Sequence, residues 1–127
     1  MPERIATADI LCLDPESLHT DDAFPGAYGF HVRLSRDPGA EWGTEFSAVY
    51  DAAPYPGKPP VVFAGDRVDV FYLPRYADDL PRFLRFLQAV VADTNRAVEK
   101  RNAVLPDEES QKAAFRQALR DLAKHFP

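Results

Sequence analysis

Twelve prolines, roughly twice their ordinary share of about 5%, constrain this chain more than any other feature, because each lacks a backbone N–H and fixes its own φ. A proline is tolerated at the start of a helix, at a sheet edge or in a turn, and it breaks the interior of either regular structure. Pro15, Pro25, Pro38, Pro54, Pro56, Pro59, Pro60, Pro74, Pro81 and Pro106 therefore cut the sequence into short pieces, and the proline-free stretches between them are where strands and helices can form.

Each stretch has its own periodicity. Residues 4–13 read as a strand, followed by an acidic connection with one helical turn at Pro15-Glu16-Ser17-Leu18. Residues 28–36 alternate, with Phe30, Val32 and Leu34 on one side and His31, Arg33 and Ser35 on the other, the period-2 pattern of a sheet with one wet face. Asp37-Pro38 reads as the start of a helix whose apolar line is Trp42, Phe46, Val49, Tyr50 and Ala53. Two β-branched, aromatic-rich runs flank Gly65-Asp66, which predicts a hairpin with a type II′ turn. From Asp78 to Asn102 the spacing is helical again, through Leu80, Phe83, Leu84, Leu87, Val90, Val91, Thr94 and Val98. A last amphipathic helix, 107–127, opens at Pro106-Asp107 and carries Phe115, Ala118, Leu119, Leu122 and Phe126 along one side.

The resulting order, β-β-α-β-β-α-α, predicts one α+β domain over residues 1–127. A four-stranded antiparallel sheet ordered 1-2-4-3 carries helices on one face, a permuted ferredoxin-like layout if the first strand takes the edge beside the second. A simpler meander satisfies the same element order. With 46% hydrophobic residues the chain has enough apolar side chains for a core of this size, and no apolar run approaches the roughly 18 residues of a membrane span.

The formal net charge of −5 is unevenly placed. The acidic N-terminal strand and loop, residues 1–27, holds six acids against Arg4 alone, while the other hundred residues balance 14 acids with 14 bases. The residues around Ile5 to Leu13 are interrupted by Asp9, unlike a secretory core, and the one cysteine, Cys12, has no intrachain partner, so a cytoplasmic location is expected with Cys12 as a buried thiol. An excess of Ala and Arg over Ile, Asn and Lys suggests GC-rich coding and a bacterial source.

Chemistry-bearing patterns are sparse. Asp14, His19, Asp21 and Asp22 lie close together but lack the glycine-anchored spacing of a cation loop, so a solvated acidic loop is the better reading, and no metal or other cofactor is expected. No Gly-x-Ser-x-Gly, Cys-x-x-Cys or phosphate-binding glycine loop occurs. The one acid–base pair the strands could bring together is His31 with Asp69, so no catalytic residue is assigned. Tyr55-Pro56-Gly57-Lys58-Pro59-Pro60 has the composition of a polyproline ligand and reads better as a stiff connector.

Three functional classes remain. The first is a non-enzymatic protein–protein interaction module, an adaptor, accessory subunit or inhibitor of the immunity type. It would bind another protein or a second copy through Phe71 and Leu73 on an open sheet face, Arg33 beside them, and Arg116 and Arg120 on the last helix. The second is a small enzyme or small-molecule binder with a pocket between sheet and helices lined by Trp42, Tyr50, His31 and Tyr72. The third is nucleic-acid binding through two basic stripes, Arg82, Arg85, Arg96 and Lys100, and Lys112, Arg116, Arg120 and Lys124. Against the third stand the acidic total and the absence of RNP signatures.

Overall fold

The computed structural model describes residues 4–103 and 108–125, with residues 108 and 109 described for their backbone alone. The chain forms β1 (Ile10–Thr20), β2 (Tyr28–Leu34), α1 (Ala40–Ala52), β3 (Val61–Ala64) and β4 (Arg67–Tyr72), then a 3₁₀ turn (Pro74–Asp79), α2 (Leu80–Ala103) and α3 (Glu108–Ala123). Pro106, Asp107 and Phe126, assigned above to the last helix, lie outside the described residues.

The four strands make one sheet in the order β1-β2-β4-β3, and every neighbouring pair is antiparallel. The class is α+β, as the element order implies. Gly65 has φ 63° and Asp66 has no positive φ, so the β3–β4 connection has the backbone signs of the type II′ turn that Gly-Asp dictates.

Alternation fixes which face is buried. Val32, Leu34, Val68, Val70 and Tyr72 point toward the helices and join Trp42, Phe46 and Tyr50 of α1 and Phe83, Leu87, Val90, Val91 and Val98 of α2 in one apolar cluster. Trp42, Phe46 and Phe83 are fully buried, and the Trp42 and Phe46 rings stack at 5.4 Å. Burial of a large apolar side chain of this kind contributes about 1.5–3 kcal/mol. Gly43 lets α1 sit tightly on β3, because a Cβ there would lie 2.2 Å from the Phe63 ring.

The N-terminal region departs from the sequence reading. Residues 4–9 form no ladder, and the strand instead starts at Ile10 and continues through Pro15 to Thr20 with no helical turn. Two irregularities make this possible. The register jumps between Ile10 and Cys12, and again between Asp14, opposite His31, and His19, opposite Gly29. An edge strand tolerates a proline inside such a bulge because no partner needs its N–H. Cys12, expected to be buried, is exposed on this edge.

Residues 4–9 are held by α2. The Asn102 side chain accepts from the Ile5 N–H at 2.8 Å and donates to the Ile5 carbonyl at 2.9 Å, and one helical face further along Asn95 does the same for Ala8 at 3.3 and 2.7 Å. These are the chain's two asparagines, spaced seven residues apart, and each presents its amide as a peptide group would in a ladder. The α1 start is also displaced, by two residues. Asp37 does not cap the helix but accepts from Gly39 N–H at 2.9 Å, and Gly39, with φ 91°, stands at the N-cap of a helix beginning at Ala40.

Candidate functional site

Three features outside the core bring distinctive groups together: the open sheet face, a cleft at one end of the sheet, and α3.

On the open face, β2 and β4 align His31 directly with Asp69, and His31 Nε2 lies 3.2 Å from Asp69 Oδ1, with Arg67 Nε donating to the same oxygen at 3.1 Å. The pair named from strand register thus forms. The His19 ring meets His31 at 5.7 Å edge-on, in space that Gly29 leaves free, since a Cβ there would come within 2.6 Å of it. Ser17 is the hydroxyl beside this network, and its Oγ donates to the Asp14 carbonyl at 2.5 Å while accepting from the His31 N–H at 2.7 Å. That hydroxyl proton is committed to the backbone, so the arrangement ties the β1 bulge to β2 and offers no activated nucleophile. Among the described residues no group of three or more His, Cys, Asp or Glu is placed to hold a metal ion.

The expectation that Phe71 and Leu73 lie bare on this face is not met. Phe71 is 5% exposed because Phe24, from the acidic loop after β1, stacks on it at 4.1 Å, with His19 edge-on at 6.0 Å. Leu73, just past the end of β4, is half-buried. Arg33 does project outward, paired with Asp14 at 3.2 Å across the β1–β2 ladder. Exposed apolar side chains at the sheet are instead Leu11, Leu13 and Leu18 along the β1 edge, with Tyr28 on β2 and Val62 on β3.

The pocket expected between sheet and helices is filled by the side chains proposed to line it. Trp42 and Tyr50 are core residues, Trp42 Nε1 donates to Asn95 Oδ1 at 2.8 Å, and His31 is on the opposite face. A cleft of about 510 Å³ opens elsewhere, at the end of the sheet where β1 leads into β2. Its walls come from Phe24 and Pro25 of the acidic loop, Tyr55 and Pro59 of the proline-rich connector, Tyr72 of β4 and Tyr76 of the 3₁₀ turn.

The polar groups of the cleft are organised. Lys58 Nζ donates to the carbonyls of Tyr50, Asp51 and Ala53 at 2.6, 3.1 and 2.9 Å, closing the C-terminus of α1 where the helix dipole is negative. The connector therefore works as a helix cap and a wall. Tyr55 donates its hydroxyl to Asp79 Oδ2, and burial, with that hydrogen bond second, pushes its phenol up to about 12. Tyr50 and Tyr72 are raised as well, chiefly by burial, so all three phenols stay neutral donors; Tyr50 reaches the Pro59 carbonyl at 2.5 Å and Tyr72 the Tyr76 carbonyl at 2.9 Å.

The third feature is α3, whose apolar line stays exposed among the described residues. Phe115, Leu119 and Leu122 are 67, 53 and 55% exposed, although their 4- and 3-residue spacing makes one apolar stripe. Arg116 and Arg120 run beside it, exposed, and Lys124 lies 4.0 Å from Asp121. The α2 stripe is less free, with Arg82 near Asp79 at 3.9 Å and Arg96 bonded to Asp93. Of the described residues, no helix is long and apolar enough to cross a membrane. Compared with family models, curated proteins and solved structures, the chain matches none.

Proposed function

We propose that the chain is a non-enzymatic protein–protein interaction module, an adaptor, accessory subunit or inhibitor, that engages its partner through α3. One observation carries this reading: an amphipathic helix whose Phe115, Leu119 and Leu122 find no core. Exposed apolar stripes of that kind are costly in water and mark contact surfaces. The flanking Arg116 and Arg120 specify a partner surface that is apolar with an acidic margin.

The chain carries such a surface itself. Leu11, Leu13 and Leu18 are exposed along β1, and Glu16, Asp21 and Asp22 beside them are exposed acids. A second copy is therefore the partner this reading names, with α3 of each copy on the β1 margin of the other in a two-fold arrangement that buries both stripes at once. Arg116→Glu with Arg120→Glu should weaken association at low salt, and adding Glu16→Lys with Asp22→Lys should restore it. Association unchanged by the first pair would overturn the assignment.

A further inference from the structure

We propose that the cleft at the end of the sheet is a binding site for a small, flat, apolar molecule that carries one neutral N–H or O–H donor. A cavity of about 510 Å³ falls in the range of roughly 300–1,000 Å³ typical of small-ligand sites. Its walls are the faces and edges of Phe24, Tyr55, Tyr72 and Tyr76 with Pro25 and Pro59 between them, rigid groups that suit a flat apolar body and lose little entropy on contact.

The polar groups decide what the ligand must offer. Of the two charged side chains lining the cleft, Lys58 has all three of its N–H bonds directed at carbonyls of α1, so it has no donor left for a ligand. Asp79, whose side chain is 39% exposed, receives the Tyr55 hydroxyl on Oδ2, and among the described residues its Oδ1 has Arg82 Nη1 at 3.9 Å, beyond hydrogen-bond reach. The carboxylate therefore keeps acceptor capacity in an apolar cleft, which an N–H or O–H satisfies and a second acceptor does not.

Charge selects among donors. Asp79 repels an anion. Lys58, Arg82, whose guanidinium lies 5.6 Å from the Tyr55 ring, and Arg75, 5.0 Å from the Tyr76 ring, oppose an added cation. A neutral donor on an aromatic or similarly flat body meets both conditions. The α3 stripe takes no part in this cleft, so the inference stands apart from the interaction reading.

The test uses indole, which has one neutral N–H on a flat ring, against N-methylindole, which lacks it, and tryptamine, which adds a cation. Each is titrated into the full chain labelled with ¹⁵N. Indole should shift the amides of Phe24, Tyr72 and Tyr76 in a saturable way, N-methylindole should bind about tenfold more weakly or worse, and tryptamine should gain nothing over indole. Asp79→Leu should reduce indole to the affinity of N-methylindole. Tyr76→Ala, at an exposed ring whose backbone carbonyl is retained, should weaken both ligands without altering amide shifts elsewhere. Equal binding of indole and N-methylindole, or tighter binding of tryptamine, would overturn the donor assignment. Shifts outside the cleft, or none up to the solubility limit, would overturn the site.

Discussion

At Gly43 two effects of one methyl group oppose each other. Alanine is a better helix former than glycine by about 1 kcal/mol, but its Cβ would sit 2.2 Å from the ring of Phe63, which is itself held against Trp42 at 5.5 Å. The clash outweighs the propensity, so Gly43→Ala should destabilise the fold by about 1–3 kcal/mol in urea unfolding. Asn95→Leu keeps the branched outline of the side chain while stranding the Trp42 indole N–H and the Ala8 N–H and carbonyl, at about 1–3 kcal/mol for each buried group left unpaired. Its midpoint in urea should fall markedly with little change in slope. The raised phenols give a pH dependence. Each folded pKa lies above its unfolded value of about 10, so their share of stability is complete below pH 10 and is lost as pH rises, for Tyr55 through about 12. Ultraviolet titration should show late phenolate absorbance that appears together with unfolding.

Elements differ in how openly the sequence announces them. The β2 alternation, the Gly65-Asp66 hairpin and the α1 and α2 stripes are legible because each is a local pattern whose buried face coincides with its apolar one. β1 is not, since Pro15 and a bulge break its periodicity and its pairing depends on Ser17 and His31 rather than on alternation. The same is true of the cleft. The parity of Phe71 is readable from β4, but the ring that covers it, Phe24, comes from a loop with no periodicity, and the cleft walls are gathered from four separate segments. Of the cleft walls, Tyr72 alone belongs to the pocket that the sequence predicts, which lies between sheet and helices. The α3 stripe is fully legible, while its lack of a partner is not, because an apolar line looks the same whether it packs on its own domain or on another. This makes a contrast that a melting curve can measure. At a concentration low enough for the chain to be monomeric, Phe46→Ala should cost about 3–5 kcal/mol, whereas Phe115→Ser should change stability by less than about 0.5 kcal/mol.

Taken whole, the molecule has a charge direction that its total of −5 conceals. The β1 edge carries Leu11, Leu13 and Leu18 beside the exposed Glu16, Asp21 and Asp22, while α3, whose charges balance overall, carries Phe115, Leu119 and Leu122 with Arg116 and Arg120 along one flank. Charge complementarity sets orientation and is screened by salt, whereas the apolar contact supplies most of the affinity. Sedimentation equilibrium of the full chain beside its Phe115→Ser/Leu119→Ser variant tests this most directly. The expected result is a mass rising with concentration from 14.2 kDa toward twice that value, falling back as salt is added, and a variant that stays near 14.2 kDa and whose circular-dichroism melt matches that of the dilute, monomeric wild type. A full chain that remains at 14.2 kDa at every concentration, or a variant that associates as the wild type does, would contradict it.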